Sequence, residues 1–296
     1  MTDAQMLDFD KLWNYDDPAA TERQFRQLLP DAESNDDKSY YLQLLTQIAR
    51  AQGLQRQFDA AHQTLDEVGY QMEDKAALLM EDLRTVNARY QLERGRVFNS
   101  SGKPDQARPF FMGAWEVAQT AREDSYAVDA AHMLAIVSSA DEQMSWNLKA
   151  LALAESSDQP RARNWLGSLY NNIGWTYHDA GQYSQALDIF EKALRFREEQ
   201  GQPSTIRIAK WCIARTLRSL GRIQEALDRQ YALLTEHHAA GTSDGYVSEE
   251  IGECLLALNR TEESRVYFAQ AYTELSKDEW LVANESARLE RIKSLS

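Results

Sequence analysis

The chain has 296 residues, a formal net charge of -14 from 32 Lys plus Arg against 46 Asp plus Glu, and only 13 Gly and 6 Pro. Its 38 Ala and 33 Leu far outnumber 9 Val and 10 Ile. That balance excludes a sheet-dominated fold, because β-branched residues favour strands and Ala and Leu favour helices. A mean hydropathy of -0.58, with Ala130 to Ala140 the longest nearly apolar, charge-free run, falls short of the roughly 20 apolar residues of a membrane span. The negative charge opposes nucleic-acid binding over most of the surface.

In chain order, the first element is an acidic segment, residues 1–37, with ten acids (Asp3, Asp8, Asp10, Asp16, Asp17, Glu22, Asp31, Glu33, Asp36, Asp37) against Lys11, Arg23 and Arg26. Acids stand where a secretory signal would need a basic and then an apolar region, so the expected location is the cytoplasm. Leu7, Phe9, Leu12, Trp13 and Tyr15 lie between these charges. From Pro18 to Leu29 the pattern reads as a lone helix, with Pro18 suited to an early helical position.

Residues 38–278 are repetitive. The clearest unit, 167–200, reads as two amphipathic helices joined at Gly181, with Tyr170, Ile173, Gly174 and Tyr177 on one apolar stripe and Ala186, Leu187, Phe190, Ala193 and Leu194 on the other. Its first-helix small residue recurs as Ala49, Gly95, Ala135, Gly174, Ala214 and Gly252, at intervals of 46, 40, 39, 40 and 38. The second-helix small position recurs in step as Ala61, Ala107, Asn147, Ala186, Ala226 and Ser264. Arg56, Gly102, Glu142, Gly181, Gly221 and Asn259 occupy the turn position, where Gly and Asn suit a left-handed backbone.

The units fall near 42–72, 88–121, 128–157, 167–200, 207–240 and 245–276. The first keeps mainly Ala49, Phe58 and Ala61; the third lacks the turn Gly and places Asn147 at a small position. After the last unit, residues 279–296 carry Leu281, Val282, Leu289 and Ile292 on a polar background, as expected of a capping helix.

Unit 167–200 resembles a tetratricopeptide repeat through Tyr170, Asn172, Gly174, Tyr177, Gly181, Tyr183, Ala186, Phe190 and Ala193. Unit 207–240 resembles it through Ala214, Leu217, Gly221, Ala226 and Leu233, and unit 88–121 through Gly95, Phe98, Gly102, Ala107, Phe111 and Ala114. Unit 245–276 does so through Gly252, Leu255, Phe268 and Ala271. A period near 40 rather than about 34 adds about 9 Å of helix per unit, similar to the long-period repeats of bacterial peptide sensors and cargo adaptors. The resemblance implies an all-α, right-handed superhelix, an α-solenoid of about six helical hairpins with terminal capping helices. In it, first helices line the concave face and second helices the outer one.

Positions one, five and eight after the leading aromatic lie on a stripe beside the buried one. They include Arg50; Leu92, Arg96 and Asn99; Asn171, Trp175 and His178; Trp211, Arg215 and Arg218; and Glu249 and Glu253. With Arg89 one turn earlier and Asn172 beside Asn171, the middle of the groove reads as basic and aromatic, without matching acids until Glu249, Glu250 and Glu253. A few Arg in a concave surface attract an acidic ligand despite the outer charge. Trp175 and Trp211 are anchor types, and Asn171 and Asn172 offer amides for an extended peptide backbone. Each has a structural reading beside this: Asn172 as a family framework residue, His178 as an inter-repeat residue, the Trp pair packed between first helices, and the Arg held by acids of the next helix.

Chemistry is sparse. Ser101-Gly102-Lys103-Pro104 lacks the rest of a phosphate loop, and His62, His132, His178, His237 and His238 are scattered over several repeats. Cys212 and Cys254, the only cysteines, read as core thiols. No catalytic motif, metal site or cofactor box emerges. The expected function is a non-enzymatic scaffold gripping an acidic peptide or protein segment in the groove. Two rivals stand beside it: a ligand-switched, peptide-sensing regulator, and self-association, in cis or as a homodimer, with the segment Asp3 to Asp17 in the groove.

Overall fold

The computed structural model describes residues 7–34, 37–73 and 81–296; Asp3 and Asp36 of the acidic segment lie outside them. Every regular element among the described residues is helical, as the Ala and Leu excess requires. The chain divides into two compact units, one running up to Leu169 and the other from Tyr170 to Ser296.

In the first unit a single 3₁₀ turn (Phe9–Leu12) precedes α1 (Pro18–Ser34), three helix pairs and a short helix. The pairs are α2 (Lys38–Leu54) with α3 (Phe58–Met72), α4 (Glu81–Ser100) with α5 (Pro104–Ala121), and α6 (Asp124–Val137) with α7 (Ala140–Ser156). The short helix is α8 (Pro160–Arg163), and α9 (Leu166–Asp179) begins at the end of this unit. Helix α1 runs about a turn past the expected Leu29, through Pro30, and buries Phe25 and Ala32. Within the unit each first helix packs on the next, α2 on α4 and α4 on α6.

The second unit holds most of α9, paired with α10 (Tyr183–Gln200), then α11 (Pro203–Ser219) with α12 (Ile223–Ala239), and α13 (Gly245–Ala257) with α14 (Thr261–Leu275). Two short helices follow, α15 (Glu279–Asn284) and α16 (Ser286–Ser294), where the sequence reads as one. The break falls at Glu285, and it leaves Leu281, Leu289 and Ile292 buried but Val282 50% exposed. None of the helices is long and apolar enough to cross a membrane, among the described residues.

One packing rule organises the hairpins. Sixteen residues after each first-helix small residue stands a buried side chain of the second helix: Leu65, Phe111, Leu151, Phe190, Gln230 and Phe268. Phe follows each Gly, and Leu or Gln follows each Ala. The geometry gives the reason. A Cβ built at Gly95 would lie 2.5 Å from the Phe111 ring, and one at Gly174 would lie 2.4 Å from Phe190. A methyl and a phenyl ring cannot share that space at close-packed density. Gln230 is the exception in chemistry: fully buried, with neither amide atom hydrogen-bonded.

The turns fall where the sequence places them at five of the six positions and elsewhere at one. Arg56 adopts φ 61° alongside Gly102, Gly181, Gly221 and Asn259, although a side chain there strains the left-handed backbone. Glu142 is no turn at all. In that hairpin Ser138 and Ser139 are extended, α6 stops at Val137, and Glu142 lies inside α7. Asn147 is nevertheless buried at the small-residue position, 2% exposed, with its Oδ1 unpaired.

Candidate functional site

In the first unit, helices α2, α4, α6 and α8 line a cleft of about 250 Å³. Arg89, Glu93 and Arg96 recur at i, i+4 and i+7 on α4 and so share one stripe of that helix. Glu93 accepts from Arg50 of α2 at 3.1 Å and from Arg96 at 2.6 Å. Arg96 also spans to Asp129 of α6, with Nη2 2.5 Å from its carboxylate. Burial acts to lower the pKa of Arg96, and the charges of Asp129 and Glu93 outweigh it and hold the pKa above the ordinary arginine value.

The N-terminal segment enters this cleft. Asp10 lies between two guanidinium groups, accepting from Arg89 Nη1 and Nη2 at 3.0 and 2.5 Å and from Arg161 Nη2 at 2.6 Å. Arg89 is itself buried, donates from Nε to the Tyr126 hydroxyl at 2.6 Å, and stands over the Phe9 and Tyr126 rings at 5.4 and 5.2 Å. Phe9 packs edge-on against Tyr40 and Phe25. Trp13 donates to Gln47 at 3.1 Å and packs edge-on against Phe25. Tyr15 stacks on Trp13, and Arg50 lies 5.8 and 5.7 Å from the two ring centroids. Partial burial pushes the Asp10 carboxyl up, but the hydrogen bonds and charges of Arg89 and Arg161 outweigh it and hold the pKa below the ordinary value of 3.8.

Of the residues read from sequence in this unit, Arg89 and Arg96 therefore face the cleft. Asn99 is partly buried, its carbonyl accepting from Gly102 N–H at 3.0 Å in the turn. The stripe is not the unpaired basic surface expected: Glu93, Asp129 and Asp10 sit among its arginines. Asp10, Glu93, Tyr126, Asp129 and Arg161 were not singled out for the groove. One signal for part of the network does exist in the register. Arg50 follows the small residue Ala49, and Glu93 stands two before Gly95. In the second unit Arg215 follows Ala214 and Glu250 stands two before Gly252; that pair also meets, at 3.0 Å.

In the second unit the first helices α9, α11 and α13 bring Trp175, Trp211 and Tyr246 into contact, with ring centroids 5.9 and 6.1 Å apart. Trp175 also packs on Phe190 of the core, and Trp211 donates to the Tyr246 carbonyl at 3.2 Å. Both tryptophans pack between successive first helices and keep part of their surface exposed. Trp211 and Tyr246, with Ile208, Arg207, His237 and Asp244, border a cavity of about 370 Å³.

The polar residues of this stripe are engaged. Glu250 is buried, accepts from Arg218 at 2.7 and 2.9 Å and forms an ion pair with Arg215. Glu249 accepts from Arg288 at 3.0 and 2.5 Å, and Glu253 pairs with Arg291. Asn171 accepts from the Cys212 thiol at 3.7 Å, and the Asn172 carbonyl accepts from Thr176 at 2.9 Å. His178 is buried 2.9 Å from the Ser219 hydroxyl; burial first, then Arg215, lowers its pKa. Burial pushes both cysteine thiols up to about 12, so neither is a ready thiolate. Among the described residues no group of His, Cys, Asp and Glu is arranged to hold a metal ion.

The match to a family model covers residues 166–199, almost all of the α9–α10 hairpin, and its description is tetratricopeptide repeat. Residues 166–199 thus form a tetratricopeptide repeat. Solved structures with the same fold include the apo form of RapI, 13% identical with a TM-score of 0.70 over 90% of this chain and 73% of that one. The apo quorum sensor NprR from B. thuringiensis is 16% identical with a TM-score of 0.65, over 97% of this chain and 78% of its own. A signal-transduction ATPase with a tetratricopeptide repeat sensor, from Pyrococcus horikoshii, is 13% identical with a TM-score of 0.71, over 94% of this chain and 43% of that protein. These likenesses are of fold. No curated protein matches the sequence.

Proposed function

We propose that this protein is a non-enzymatic cytoplasmic tetratricopeptide-repeat scaffold whose first-helix face grips an acidic segment of a peptide or protein partner. In this reading residues 38–278 are the repeat body, residues 1–37 an acidic appendage and residues 279–296 the cap. The observation that carries it is the seat of Asp10: a carboxylate held by Arg89 and Arg161 among aromatic rings. Among the described cleft residues the helices contribute Arg50, Arg89, Arg96 and Arg161 against Glu93 and Asp129, a cationic excess that suits an acidic guest. Low-dielectric walls focus such a field onto an approaching anion. Among proteins of this fold, NprR has been solved in complex with its cognate peptide NprX.

The test is calorimetric titration of the full chain with synthetic peptides that place Asp between aromatic residues, each compared with its Asp→Asn counterpart. At least a tenfold preference for the carboxylate is expected, and Arg161→Glu, at a side chain 62% exposed, should abolish it. Equal affinity for both peptides removes the acidic-ligand reading. Trp175→Ala with Arg215→Glu examines the second unit's face in the same assay, with at least a tenfold loss expected if that face takes part.

A further inference from the structure

The first cleft already contains a guest. Residues 7–17 read Leu-Asp-Phe-Asp-Lys-Leu-Trp-Asn-Tyr-Asp-Asp, and only some of them touch the repeat helices. Asp10 supplies the carboxylate, Phe9 lies one residue before it and Trp13 three after, each ring held by residues of α1 or α2. Leu7 is joined through its carbonyl to the Tyr40 hydroxyl at 2.8 Å. Asp16 and Tyr15 remain exposed, and no charged side chain of the segment other than Asp10 reaches a cleft arginine. The strap is a short segment with one 3₁₀ turn, Phe9–Leu12, whose Phe9, Leu12 and Trp13 pack on the core of α1 and α2 while Asp10 reaches the arginines. A single-turn segment anchored through a few side chains is a form in which a peptide ligand is bound.

We infer that the cleft recognises one pattern, an aromatic residue followed at once by Asp and three residues later by Trp, and that residues 7–17 are its resident occupant in cis. A partner segment of the same acidic–aromatic chemistry then binds by displacing the strap. This rests on the peptide-binding reading above and adds the identity of the recognised pattern. Two features support displacement over permanent seating. Arg161, 62% exposed, gives an incoming carboxylate its first contact, and Arg89, buried and among the described residues hydrogen-bonded only to the neutral Tyr126 hydroxyl besides Asp10, requires that a partner's Asp take the place Asp10 vacates. The covalent link raises the local concentration of the strap to about millimolar, so it competes effectively even with modest intrinsic affinity.

The experiment uses the full chain and a fluorescein-labelled, amide-capped peptide of residues 7–17 as the probe. The wild-type chain should bind it at least tenfold more weakly than full chains carrying Asp10→Asn or Trp13→Ala, and a probe carrying Asp10→Asn should bind the variants at least tenfold more weakly than the unaltered probe. Saturating probe should also speed hydrogen exchange of residues 7–17 in the unmodified chain; this readout needs no variant to fold. Equal affinity of wild type and variants, with exchange of the strap unchanged, overturns the inference and leaves the peptide-binding reading standing. No binding to any chain, with the strap of the variants exchanging freely, overturns both. A concentration-dependent dimer that Asp10→Asn dissociates assigns the strap to a neighbouring copy and overturns the cis arrangement.

Discussion

The two units place the same residue types on the same stripe and use them differently. In the second unit the charges close between successive first helices or onto the C-terminal helix: Arg215 and Arg218 on Glu250, Glu249 on Arg288, Glu253 on Arg291. In the first unit Arg50 closes on Glu93 by the same register, but the next arginine cannot continue it. Two residues before Ala135 stands Met133, which offers no carboxylate, and Arg96 turns one helical turn earlier to Asp129. Arg89 and Arg161, with no acid from a neighbouring repeat among the described residues, take Asp10 instead. On the function proposed above, the difference separates two kinds of charge: that which neighbouring repeats neutralise serves architecture, and that which they leave over serves a guest.

That contrast can be attacked from its packing first. Gly174→Ala drives a Cβ toward the Phe190 ring in the second unit and is expected to cost about 3 kcal/mol in urea unfolding. Phe190→Leu in the same chain restores the Ala–Leu pairing of other hairpins and should recover at least half of that loss. Additive penalties would mean that the spacing rule is incidental.

The ion pairs come next. Glu250→Gln deprives Arg215 and Arg218 together of a buried carboxylate and should lower stability by about 2 kcal/mol. Asp10→Asn should instead act locally. Hydrogen exchange of residues 7–17 is expected to rise at least tenfold, while the unfolding midpoint moves less than in Glu250→Gln, because the strap can release without the repeats unfolding. A large midpoint shift for Asp10→Asn would make the strap part of the core and erase the distinction between the units. Gln230→Leu, which removes two unpaired buried amide atoms, should raise stability by about 1 kcal/mol in the same assay.

The smallest effect is the pH dependence of the strap. Asp10 has its pKa lowered from 3.8 when docked, so its contribution is fully present above 3.8 and is lost as pH falls through the docked value. Protection of residues 7–17 against exchange should therefore hold at neutral pH and decline only below that point. Protection that falls between pH 5 and 7 would point to another group, because Asp10 stays ionised throughout that range.

The helical class, the small-residue period and the hairpin count were legible because each depends on side-chain volume repeated along one helix or its neighbour. Ala49, Gly95, Gly174 and their counterparts announce themselves at a near-constant interval. The Gly–Phe and Ala–Leu pairing was equally open to reading, sixteen residues apart in five of the six hairpins, with Gln230 in the sixth. The turn at Glu142 was misread because a period locates a helix pair better than its ends, and two extended serines moved the boundary by about one helical turn. The basic groove was misjudged for a different reason: a stripe drawn along one helix counts its own charges and omits those that other segments bring.

Sequence alone thus determined the repeat, the buried small positions and which helix faces share a side, since local periodicity and volume decide these. Only the tertiary structure decided that Asp10 meets Arg89 and Arg161, 79 and 151 residues away. No spacing encodes that meeting. It follows from the path of a short strap whose Phe9 and Trp13 are drawn into the hydrophobic core beneath α1 and α2, carrying the intervening carboxylate to the cations left unmatched by the repeats.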